Sequence, residues 1–180
     1  HLCDRRQRQM CIRDSYYTLV TMGMGAHEMD LPEELKEYKL KRAELAISLP
    51  ADWKLDEKSL EDEKWYWPIR LLKVAARLPI NCDTWLGWGH TIDRQGSFAE
   101  NTDFCGALLI GVQNVEEEAE VCVLPNGENV NFYQLIPLYR EEIQYKLKHG
   151  ADVLLDKMSE LSFVVRVDRK NYIIGQPVLN

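Results

Sequence analysis

The pair Asn126-Gly127, set between the apolar runs 121–124 and 130–136, constrains this chain more than any other feature. Both residues tolerate the positive φ that a tight hairpin turn requires, so the flanking runs are predicted to pair antiparallel. Further strands are predicted at 16–23, which is aromatic and β-branched, and at 43–49. In the second, Ala43, Leu45, Ile47 and Leu49 face one way and Glu44, Ala46 and Ser48 the other, the pattern of a half-buried strand. Residues 84–92 read as a strand interrupted by two glycines, 105–112 as a buried strand and 163–167 as a last short one. A helix is predicted from the triplet Trp65-Tyr66-Trp67, with Pro68 in its first turn, a stripe of Ile69, Leu71, Leu72, Ala75 and Ala76, and Pro79 as its end. Residues 138–148 form another, its acidic start and basic end complementing the dipole, with Gly150 as C′ residue. Residues 151–161 form a third, with Leu154, Leu155 and Met158 on one face. Pro32 opens a short helical turn, and 52–64 is a solvated connection with Trp53 and Leu55 as anchors. This order predicts the α+β class: a mixed, mostly antiparallel sheet with helices packed on it.

A chain of 180 residues suits one domain. Residues 1–15, HLCDRRQRQMCIRDS, stand apart: they are basic, lack helical or strand periodicity, and resemble a translated sequencing adaptor. The expectation is a non-native segment over 1–15 and a single domain over 16–180. A net charge of −7 without a basic stripe disfavours nucleic acid. No apolar run approaches the roughly 20 residues of a membrane span, and no signal-peptide pattern occurs. The expectation is a cytoplasmic protein without a membrane role.

The five cysteines, Cys3, Cys11, Cys82, Cys105 and Cys122, are odd in number and lack a C-x-x-C pair, which predicts reduced thiols rather than a zinc or disulfide framework. No G-x-S-x-G, H-E-x-x-H or P-loop motif is present. The GMGAHE run at 23–28 resembles a glycine-rich phosphate loop but lacks the third glycine and the lysine. A metal would need His27, His90, Cys105 and Asp103 to converge, which no spacing favours; neither metal nor cofactor is expected. The enzymatic reading is a small Cys/His enzyme, with Cys105 or Cys82 attacking, His90 as base and Asp83, Asp93 or Asp103 orienting it. The binding reading rests on the aromatic runs 65–67 and 85–88. Tryptophan is enriched at interface anchors, so Trp65, Trp85, Trp88 and the neighbouring His90 are candidate partner-binding residues, against the alternative that the cluster is a core wedge.

Several stretches, in this order, resemble the suppressor of fused domain family. They are YYTLVTMGMGAHEM followed by LAISLP; the Trp67-Pro68 helix start with Ala76-Arg77 near its end, then Asp83-Thr84-Trp85 and His90; and Phe132-x-Gln134-Leu135, Glu141-Glu142-Ile143, Gly150 and Leu154-Leu155. The likeness runs over residues 16–168 and is carried by order and spacing rather than by any single motif. It implies an α+β fold and binding without catalysis. Animal members of the family restrain Hedgehog signalling by clamping a Gli peptide between two domain halves through strand addition. The present chain is too short for the second half, so Gli binding is not implied. Bacterial members are short single domains, often encoded beside polymorphic toxins and proposed to be immunity proteins. The resemblance thus implies a protein partner, and the acidic balance favours a basic toxin. A regulatory adaptor without a toxin partner fits the same residues. The family also places a strand before its YYTLVT-like segment, where this chain has the adaptor-like string, so an unpaired sheet edge is expected there.

Overall fold

The computed structural model describes residues 16–159 and 162–174; the adaptor-like segment lies outside the described residues. Among the described residues, six strands form one sheet: β1 (Tyr16–Val20), β2 (Arg42–Pro50), β3 (Thr91–Asp93), β4 (Gly106–Gly111), β5 (Val121–Val123) and β6 (Asn129–Leu138). The order is β1-β2-β6-β4-β3, with β5 also paired to β6. The 125–128 turn closes the predicted hairpin, bringing Val123 opposite Asn129, with Gly127 at φ +80°. Strands β2 and β6 pair parallel; the other pairings are antiparallel. The class is α+β, as the hairpin-dominated order predicts.

Among the described residues, three α-helices cover the sheet: α1 (Glu63–Cys82) on one face, α2 (Arg140–His149) and α3 (Ala151–Leu155) on the other. Helix α1 buries Trp67, Leu71, Leu72 and Ala75 against Leu45, Ile47, Leu109 and Leu135. The opposite face packs Ile143, Ala151 and Leu154 on Leu108, Ile136, Leu138 and Phe163. Strand β2 is therefore buried on both faces rather than half-buried, because it lies inside a three-layer arrangement. Its polar residues are satisfied there. The Gln134 amide donates to Ser48 Oγ (2.9 Å) and to the Phe163 carbonyl (3.0 Å), and Gln113 N–H donates to Gln134 Oε1 (2.9 Å).

Four expectations need correction. Helix α1 begins earlier than the aromatic triplet and runs through both prolines to Cys82. Pro68 cannot donate to the Lys64 carbonyl, and the Asn101 amide takes that acceptor instead (3.3 Å). The end is set by Asp83, in the left-handed region at φ 46°, whose N–H closes on the Pro79 carbonyl. Between 84 and 92 only β3 is strand; a turn at 87–90 occupies the rest. Helix α3 stops at Leu155, well short of 161. The expected strand at 163–167 reduces to one parallel bridge, Ser48 with Val164, since Val165 N–H reaches the Ser48 carbonyl (2.8 Å) and the chain then turns away. Among the described residues, β1 has β2 as its one strand neighbour and so ends the sheet. No described helix is long and apolar enough to cross a membrane.

Candidate functional site

The loop between α1 and β3 is built by its glycines. His90 N–H donates to the Gly87 carbonyl (3.1 Å), closing a four-residue turn with Trp88 and Gly89 at its centre. Gly89 sits at φ +78°, the conformation that the third position of a type II turn demands. Gly87 is required for space: a Cβ there would lie 2.6 Å from the Trp85 ring. Trp85 therefore folds back over Gly87 and meets the His90 ring edge-on, with centroids 4.2 Å apart. The turn is pinned to the sheet by Gly89 N–H on the Leu109 carbonyl (2.8 Å) and Leu109 N–H on the His90 carbonyl (2.9 Å). Its other side rests on α3, where a Gly89 Cβ would stand 3.7 Å from the Ala151 methyl. Trp88 is left at the tip, 48% exposed on a fixed backbone. Beside it opens a cleft of about 270 Å³, lined by Ile110, Ile136, Leu155, Met158 and Phe163 together with Gln113, Ser159 and Ser162. Replacing Gly87 by alanine is expected to expel the Trp85 ring and cost about 1–3 kcal/mol. Urea unfolding followed by tryptophan fluorescence measures both effects.

The structure brings Trp85, Trp88 and His90 together and places Trp65 elsewhere. Trp65 lies in the first turn of α1, about 25 Å along the helix from its last residue, Cys82, after which the chain enters the aromatic turn. It packs edge-on against Trp53 (5.3 Å, 82°), with the Lys54 and Lys64 ammonium groups 5.3 and 5.2 Å from its ring. Trp67 belongs to the core, stacked on Phe98 at 5.3 Å. A wider polar cleft of about 850 Å³ lies near Trp65, around Asp62, Arg70 and Arg94. Both of its guanidinium groups are engaged, Arg70 by Glu63 and both by the Phe98 carbonyl.

The Cys/His pairing acquires no shared geometry. Cys105 is buried, burial pushes its thiol up, and its charged neighbours are Arg140, Asp93 and Glu141. Asp93 is engaged by Arg140 (2.6 Å), which holds its carboxyl below the usual range. His90 has different surroundings, Trp85 and Lys146, and burial pushes its pKa down. Cys82 is exposed at the last residue of α1, and Cys122 is exposed on β5. Iodoacetamide is expected to modify Cys105 more slowly than Cys82 and Cys122 by about tenfold or more, until the protein is unfolded. Peptide mapping of the labelled protein checks this. Among the described residues, no three His, Cys, Asp or Glu side chains converge on a metal position.

The GMGAHE run does cradle an anion, but an internal one. The Gly23 and Gly25 N–H groups donate to Glu44 Oε1 at 2.8 and 2.9 Å, and the Thr21 hydroxyl donates to Oε2. A Cβ on Gly25 would stand 2.8 Å from Val130 Cγ1, so a side chain there would push the loop off β6. Sequence reasoning missed the cleft, because its walls come from Trp88, β4, β6 and the residues Leu155, Met158, Ser159, Ser162 and Phe163. No local pattern links them.

Comparison with known proteins places this geometry among relatives. The family model for the suppressor of fused protein (SUFU) matches residues 9–170. No curated protein sequence matches the chain. Among solved structures, Drosophila Suppressor of Fused superposes with a TM-score of 0.62 at 16% identity, over 87% of this chain and 39% of that one. The chain thus spans about two fifths of the fly protein. Sufu in the Sufu–Fu complex, a relative captured with a protein bound, gives 0.61 at 16% identity, over 87% and 70%. A suppressor of fused homologue from Neisseria gonorrhoeae FA 1090 gives 0.60 at 17% identity, over 91% and 74%. These likenesses concern the fold.

Proposed function

Because the chain belongs to the suppressor of fused family, we propose that it is a non-enzymatic protein-binding domain anchored by Trp88, and that it serves as an immunity protein neutralising a cognate toxin. The observation that carries the binding reading is Trp88 itself. A half-exposed indole on a glycine-built turn, pinned to β4 and α3, offers a large contact area beside a cleft of mixed polar and apolar lining. Such a residue loses little freedom on binding, which is how a few rigid aromatics come to dominate interface energies. Protein capture by Sufu in the Sufu–Fu complex supports the same reading.

The finer assignment is supported by size and charge. The Neisseria homologue matches over 74% of its own length, so the fold recurs in a bacterial protein of comparable extent. A net charge of −7 steers a basic partner such as a nuclease toxin toward this chain. Cells expressing the toxin domain encoded beside this chain should survive only when the chain is co-expressed. The association rate of the purified pair should fall about tenfold or more as salt rises from low to high concentration. Survival without the chain removes the immunity assignment. A rate indifferent to salt removes the steering. A stoichiometric partner that is not a toxin identifies a regulatory adaptor.

A further inference from the structure

Of the eight asparagines in the chain, Asn126 alone precedes a glycine. That pairing is reactive in itself. With no side chain on the following residue, little hinders its main-chain nitrogen from reaching the asparagine carboxamide. The structure sets the pair in a closed turn. Gly127 N–H donates to the Leu124 carbonyl (2.9 Å), and Leu124 N–H donates to the Glu128 carbonyl (2.8 Å). Asn126 keeps a negative φ while Gly127 takes +80°, the arrangement of a type I turn followed by a left-handed residue. The carboxamide is held at both ends by one residue: Asn126 Oδ1 accepts the Glu128 N–H, and Nδ2 donates to Glu128 Oε2, both at 3.0 Å. Attack on Cγ requires the Gly127 nitrogen to swing about the Cα–C bond of Asn126 until it eclipses Cβ, which breaks the bond to Leu124. Glu128 Oε2 also accepts Arg42 Nε (2.9 Å). The Arg42 guanidinium in turn reaches the Gly25 and Ala26 carbonyls (3.2 and 2.9 Å) and Glu28 (2.8 Å). The hairpin is therefore fastened to the 25–28 loop through the same carboxylate that holds the Asn126 amide.

We propose that Asn126 is a self-modification site gated by its own hairpin: it deamidates from the opened turn, and the carboxylate so formed loosens the Arg42 tie. Gly127 N bonds to Asn126 Cγ, the Cγ–Nδ2 bond breaks, and Nδ2 leaves as ammonia with the proton that Gly127 gives up. One water then opens the cyclic imide at either carbonyl. The product is aspartate or, with the main chain rerouted through the side-chain carbons, isoaspartate. The sum is asparagine and water giving a carboxylic acid and ammonia, and nothing is oxidised or reduced. Reaction from the open turn follows the fraction of time the turn is open, so the bonds that close it set the rate. Either product loses the Nδ2 donor and sets a negative charge against Glu128, the counter-ion of Arg42.

Peptide mapping by mass spectrometry tests the gate on the full chain, incubated in mildly alkaline buffer with and without denaturing urea. In urea, Asn126 is expected to convert first among the asparagines. In the folded chain its rate should fall by about tenfold or more, as a turn open less than about a tenth of the time imposes. Glu128→Ala frees the carboxamide, so it should raise the folded rate by about threefold or more, the range of a lost hydrogen bond, and leave the rate in urea unchanged. Urea unfolding reads the consequence. Asn126→Asp should lower the folding equilibrium constant by about two- to fivefold, the range of an exposed charge contact, and the same change made beside Glu128→Gln should cost nothing. Equal rates in the folded and unfolded chain, another asparagine converting first in urea, or a folded rate unmoved by Glu128→Ala would each overturn the gate. An Asn126→Asp chain as stable as the original, or one equally weakened beside Glu128→Gln, would overturn the loosening of the Arg42 tie.

Discussion

Replacing Glu142 by alanine is expected to lower the unfolding free energy by about 3–5 kcal/mol, the loss typical of breaking a buried ion pair from one side. Glu142 is fully buried and the Arg169 side chain is 7% exposed. The two meet through two parallel bonds of 2.6 Å. The carboxylate also accepts the Tyr139 and Tyr172 N–H groups, both at 3.0 Å. The guanidinium donates to the Pro137 carbonyl (2.8 Å) and lies 4.8–5.1 Å from the Phe104, Tyr139 and Tyr172 rings. This single carboxylate therefore ties the 166–174 segment to the first turn of α2. Alanine would leave a guanidinium buried without its counter-charge. Against a typical total stability of about 5–15 kcal/mol, that loss removes a large fraction of the margin that keeps the chain folded. The double change Glu142→Met with Arg169→Met should be milder than Glu142→Ala alone, because no charge is stranded. Urea denaturation measures both. A loss below about 1 kcal/mol for Glu142→Ala contradicts the account.

Trp67→Ala is expected to cost a similar amount, about 3–5 kcal/mol, through the cavity left in the α1 face of the sheet. Trp67 is fully buried, stacks on Phe98 at 5.3 Å, and touches Trp53 and Phe104 at centroid distances of 6.2 Å. Its indole Nε1–H is buried and has no hydrogen-bond partner. Trp67→Phe keeps most of the ring and removes that unpaired donor, so it should recover the larger part of the loss. A phenylalanine variant as unstable as the alanine one would show that the indole fills space phenylalanine cannot, and that its unpaired N–H is not a liability.

The sequence carried the parts of this fold that are local. Asn126-Gly127 specified the hairpin, the apolar runs specified β2, β4 and β6, and the acidic start and basic end of α2 marked that helix. What failed to show depends on partners distant in the chain. The alternation of 43–49 could not reveal that Ala46 and Ser48 are covered, because the cover comes from 163–165 and the neighbouring strand. Pro68 looked like a boundary because the signal for a helix ignores Asn101, which takes the role of the missing donor. The glycines of 84–92 signalled close backbone approach correctly, yet the outcome was a turn rather than a bulged strand. For the site, tryptophan content pointed to residues 85–90. It also pointed to Trp65, and only the length of α1 separates the two.

The central claim is that this chain works by holding a protein through its aromatic turn. The most direct measurement is a paired affinity capture with the tagged chain and its Trp88→Ala variant. Both are exposed to a lysate expressing the genomic neighbours, and the retained proteins are quantified by mass spectrometry after circular dichroism has shown both baits folded. The account predicts one stoichiometric protein on the unaltered chain, reduced at least about tenfold on the variant, as the loss of an anchor tryptophan entails. The same protein retained equally by both baits, or no stoichiometric protein on the folded unaltered chain, would contradict it.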